Sequence, residues 1–108
     1  MATDDVDIKL TGLCREALDV NRLYLAAVAQ QEAGEKDAYR HGDAFHSLMS
    51  EIAAIPARTT QGQRAKANVL EASLLQRSTP FVPQNVQEAL MFSVVQDLCG
   101  RSAPVSTV

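Results

Sequence analysis

Pro56-Ala-Arg-Thr-Thr-Gln-Gly-Gln-Arg-Ala-Lys-Ala67 is the stretch that decides how this chain is read. Proline disfavours the helical region for the residue before it and lacks the amide a helix interior needs. A helix running through Glu51-Ile-Ala-Ala-Ile55 is therefore predicted to stop by Ile55. Thr59 or Thr60 restarts it, because a threonine oxygen can accept from an orphan amide of the new first turn. Thr60 and Gln63 also have capping-box spacing. Ala65, Ala67, Leu70, Ala72, Leu74 and Leu75 follow, all compatible with helix. Two helices joined by so short a connection are expected to pack as an antiparallel hairpin.

Working outward, the N-terminal side carries Val6, Leu10, Leu13, Cys14, Ala17, Leu18, Leu25 and Val28 at helical spacing, with no proline and a stop signal at Gly34. Asp4 or Asp5 can cap this first helix, and acidic residues there suit its dipole. Asn21 lies close to the apolar stripe, either as an edge residue reaching water or a neighbouring side chain, or as a polar group setting helix register. Residues 34–37 read as a turn. A second helix is predicted from about Asp37 to Ile55, with Ala38, Phe45, Leu48, Met49 and Ile52 on one face, and a third from Thr60 to Arg77. Ser78-Thr-Pro-Phe-Val-Pro83 is a proline-bracketed loop from which Phe81 or Val82 should tuck inward. A fourth helix runs from Pro83 or Gln84 to Cys99, stopped by Gly100. Its centre, Ala89-Leu-Met-Phe-Ser-Val-Val95, is apolar on nearly every side and predicts burial all round.

The fold class that follows is all-α: an antiparallel bundle of about four helices with a long first helix. Residues 1–100 form one domain and 101–108 a flexible tail. At 108 residues such a domain buries roughly two thirds of the surface exposed by its unfolded chain. The first helix would be over ~40 Å long against ~25 Å for the others. One bundle cannot cover all of it, so a second copy is expected to complete the burial. Leu90, Met91, Phe92, Val95, Leu25 and Val28 are the interface candidates, and a homodimer, with a further protein partner possible, is the expected state.

A formal net charge of −3 argues against a general nucleic-acid or anionic-membrane binder. The acidic N-terminus lacks the regions of a signal peptide, and no apolar run approaches the ~20 residues that span a bilayer. Cys14 and Cys99 have no motif spacing and read as reduced thiols of a cytoplasmic protein. His41 and His46 are five apart, off the spacing of a helical metal pair. Asp43 and His46 could share an ion, but no further ligand is evident. No nucleophile elbow, phosphate loop or zinc-protease pattern occurs, so no catalysis, metal or cofactor is expected.

Arg58, Arg64 and Lys66 surround a helix N-terminus, whose free amides favour anions. They are the candidate contact for an anion or a partner. Arg64 and Lys66 diverge by roughly 200° around a helix. A nucleic-acid regulator using this basic turn is the alternative reading, against a proline in the turn and no run of base-reading residues on one exposed face.

The same stretch resembles small uncharacterised bacterial helical proteins that recur in mobile-element neighbourhoods. These carry a Pro-Ala-x-Thr turn, a glycine three residues on, Ala-Lys-Ala, and a closing Asp-Leu-x-Gly. The matching residues are Pro56, Ala57, Thr59, Gly62, Ala65, Lys66 and Ala67, then Asp97, Leu98 and Gly100. The likeness runs from Phe45 to Gly100 and departs at Gln63, where leucine is expected. It implies the helical fold and a cytoplasmic setting, and no activity.

Overall fold

The computed structural model describes residues 2–77 and 79–100, with side chains described at 7–76 and 79–100. The expected flexible tail, 101–108, and the capping role of Asp4 or Asp5 lie outside what is described. The described residues are all-α, in four helices: α1 (Ala2–Ala29), α2 (Glu35–Ala53), α3 (Thr60–Arg77) and α4 (Val86–Leu98), with a short 3-10 turn at Gln31–Gly34. At ~1.5 Å per residue α1 is about 42 Å long, and it is the spine of the fold. Both α2 and α3 pack on α1, and α4 packs on α3.

The core is built on one stripe of α1, Leu10, Cys14 and Ala17, meeting Phe45, Leu48 and Ile52 of α2 and Val69 of α3. Ile55 and Ala57 of the connecting segment close its end. The predicted α2–α3 hairpin needs correcting. The two helices share core side chains, but each lays its length on α1 and not on the other. Polar bonds between α1 and α3 show why. Asp7 reaches the start of α3, and Asn21 accepts a bond from Gln76 near its end. The two helices therefore run parallel, and the Pro56 corner wraps past the N-terminal half of α1. Asn21 is 7% exposed, and its side chain accepts a bond across the α1–α3 interface, a contact that fits both an edge residue meeting a neighbour and a polar group setting register.

The other differences are local. The first helix ends at Ala29, not Gly34, because the chain turns at Gln31, whose φ of +55° breaks the helical path. Gly34 serves the turn instead: a Cβ there would sit 2.8 Å from the Ala27 carbonyl carbon and collide with its oxygen. The cap of α3 is Thr59, not Thr60. Its hydroxyl accepts from the Gly62 amide at 3.0 Å, and its carbonyl accepts the Gln63 amide. Ahead of α4, Asn85 caps the Glu88 amide at 2.8 Å, and the Glu88 carboxylate accepts the Gln84 amide at 2.9 Å. This reciprocal pair moves the helix start from Gln84 to Val86.

Phe81 is buried and packs on Phe92 at a ring separation of 4.8 Å, while Val82 stays exposed. The largest departure concerns α4. Burial all round was expected, yet Val86 is 84% exposed and Leu90 65%, and of this helix only Val95 is buried. Among the described helices α3 is the one that packs on it to any extent, on a single face, with Phe81 beside Phe92.

Candidate functional site

The basic corner is where an anion was expected, and the chain supplies one itself. Asp7, 5% exposed, accepts from the Arg58 amide at 3.2 Å and from the Thr59 hydroxyl. The Thr59 hydroxyl bond, helped by the backbone amides of Arg58 and Thr59 and the Arg58 charge, holds the Asp7 carboxyl below its ordinary value. Burial opposes the shift. Gly62 makes the approach possible, since a Cβ at that position would lie 2.6 Å from the Asp7 carboxylate. The favourable field at the start of α3 is thus used to staple α1 to α3. An aspartate seven residues into an acidic N-terminus gives no sequence signal of this role.

The three candidate cations point to different places. Arg58 stays exposed at the corner beside Asp7. Arg64 lines a cleft between α1 and α3, and Lys66 lines a groove between α3 and α4. The structure brings none of them together, as their divergence around the helix requires. It brings Arg64 instead to Arg15 of α1, a residue that sequence reasoning passed over. Arg15 could be found only by knowing that α3 lies beside this face of α1.

The α1–α3 cleft has a cavity of about 300 Å³ lined by Arg15 and Arg64 with Thr11, Gln61 and Asn68. It adjoins a second cavity of about 560 Å³ between the later halves of the same helices. Leu18 and Asn68 line both, so the two form one groove. Its far end holds Leu25, Ala72 and Leu75 beside the Asn21–Gln76 pair. Glu71 also borders it, 6% exposed and bonded at 2.6 Å by the Gln96 amide of α4.

The α3–α4 groove differs in character. Its walls are Ala67, Leu70, Met91, Val94 and Leu98, with Val95 at the floor, around about 440 Å³. Beside it Val86, Leu90 and Val94 form a ridge, 84%, 65% and 48% exposed, at successive i, i+4 positions. Of the interface candidates, Leu90, Leu25 and Val28 are exposed, and Met91 is partly so. One needs correcting, since Val95 is 3% exposed within the α3–α4 contact; Phe92 is half-buried against Phe81.

Cys14 sits in the core, where burial pushes its thiol above the ordinary value against the opposing charge of Lys66. Cys99 is half-buried at the end of α4, and the two cysteines are not joined in a disulfide. Among the described residues no group of three or more His, Cys, Asp or Glu side chains is gathered as a metal site requires. No helix among them is long and apolar enough to cross a membrane. No protein-family model, curated protein or solved structure matches the chain. Function is read from the geometry of its surfaces.

Proposed function

We propose that this is a small non-catalytic interaction protein that self-associates through α4, with a second copy of the chain as the occupant of the α3–α4 face. The observation that carries the reading is the exposed row Val86, Leu90 and Val94. A helix with mostly apolar sides is ordinarily buried, and α3 covers only one side of this one. What favours a second copy is that ridge and groove lie side by side. A two-fold contact requires one patch to be complementary to itself, and here the ridge of each copy can enter the groove of the other. Lys66 is the one charged residue bordering that groove.

The protein is taken to work in a reducing compartment, the cytoplasm, in keeping with a free thiol in the core. A regulator of nucleic acid stands second, because Arg58, Arg64 and Lys66 face three directions and the start of α3 is occupied by Asp7. Light scattering between 10 and 200 µM (roughly the range of weak dimers) tests the reading. A mass rising toward the dimer supports it, and a monomer throughout overturns it.

A further inference from the structure

The continuous α1–α3 groove is separate from the α4 face and has a different chemistry at each end. At one end two guanidinium groups, from helices that run side by side, line the same cavity. Neither Arg15 nor Arg64 is in an ion pair or hydrogen bond among the described residues, and no carboxylate lines that cavity. This stands out in a chain of net charge −3 whose exposed Arg22 and Arg40 each pair with an aspartate three residues away. Asn68 and Leu18, which line both cavities, mark the middle of the groove. The far end is lined by Leu25, Ala72 and Leu75 beside the Asn21–Gln76 pair, with Leu25 46% exposed. Two acids adjoin the groove: Glu71 is buried and takes a bond from Gln96, and Asp7, in the neighbouring cavity that shares Thr11 and Gln61, is taken up by Arg58 and Thr59.

We propose that this groove binds an anionic amphiphile, with a phosphate or carboxylate head between Arg15 and Arg64 and an apolar chain running past Leu18 to Leu25 and Leu75. Guanidinium forks match either oxyanion in a two-pronged geometry. Ten residues of helix separate Arg15 from Leu25, a reach of about 15 Å that a head group and a chain of roughly ten carbons together span. Burial of that chain adds to the head-group contact, since each methylene removed from water favours binding. The cavities are of the size that small ligands occupy, with a few convergent polar groups along apolar walls.

The test uses the full chain and decyl phosphate below its micellar concentration, followed by calorimetry and by amide and methyl NMR shifts. Inorganic phosphate and the neutral detergent decyl maltoside are the comparisons. Decyl phosphate is expected to bind at least tenfold more tightly than either, with shifts at Leu18, Leu25 and Leu75. Arg15→Gln with Arg64→Gln should weaken it at least tenfold, while circular dichroism confirms the fold. Leu25→Asn should weaken decyl phosphate and leave inorganic phosphate unchanged. Equal binding of the neutral detergent, indifference to the double arginine variant, or shifts confined to Met91, Val94 and Leu98 would each overturn the proposal. A parallel arm with vesicles containing phosphatidic acid assigns the source of the head group. Co-flotation points to a lipid surface, and its absence beside tight decyl phosphate binding points to a soluble amphiphile.

Discussion

Replacing Leu90 by glutamate should separate self-association from folding. Leu90 is 65% exposed in the single chain. Full burial of a leucine side chain is worth about 1.5–3 kcal/mol, so covering the exposed part contributes about 1–2 kcal/mol per copy. A two-fold contact uses the residue twice, and Leu90→Glu should cost about 2–4 kcal/mol of association, or roughly 30- to 1,000-fold in the dimer dissociation constant. Within one chain the substitution is at an exposed helical position, where stability should change by no more than about 0.5 kcal/mol. Sedimentation equilibrium gives the first quantity and urea denaturation at low concentration the second. Leu23→Glu is the control, because Leu23 is 52% exposed on α1 away from the α3–α4 groove. The reasoning fails if Leu23→Glu weakens association as much as Leu90→Glu does. It also fails if Leu90→Glu unfolds the single chain.

Three further outcomes follow from other parts of the fold. The Asp7 carboxyl holds its proton less tightly when folded than its ordinary value of 3.8, so its contribution is complete above that pH and is lost as pH falls through the folded value. Wild type should be more stable than Asp7→Asn at neutral pH, with the gap closing only as the pH falls below 3.8 toward the folded value, read from urea midpoints; a gap independent of pH would refute the staple. Gly34→Ala places a carbon against the Ala27 carbonyl and Gly62→Ala places one 2.6 Å from Asp7. Both should lower the melting temperature, Gly34→Ala by roughly 5–20 °C and Gly62→Ala despite alanine's helix advantage of about 1 kcal/mol. Cys14, with its thiol raised by burial, should react with a disulfide reagent well after Cys99, and at full rate only once the chain unfolds.

Local chemistry was enough to delimit the helices. Proline at 56 ended α2 and a threonine at the corner restarted the chain. The apolar spacing of Leu10, Cys14, Ala17, Phe45, Leu48 and Ile52 marked faces that do meet in the core. These signals act within a turn or two of helix, where a single residue's backbone preference or side-chain direction is decisive. Even here the ends moved, because Gln31 turns the chain before Gly34, and Asn85 with Glu88 caps more strongly than the prolines suggest.

Which helix lies beside which face was settled only in three dimensions. An apolar stripe specifies that it will be covered, not by what. The short corner at Pro56 implied α2 and α3 packed on one another, but the hydrogen bonds of Asp7 and Asn21 lay α3 along α1, so that α3 keeps the direction antiparallel to α2 without packing along it. That choice leaves α4 with one neighbour and an uncovered apolar row. It brings Arg15 to Arg64, and it fills the expected anion position with the chain's own carboxylate. Residue spacing determined the helices and their faces, and the long-range pairing of those faces decided which surfaces are open to a partner.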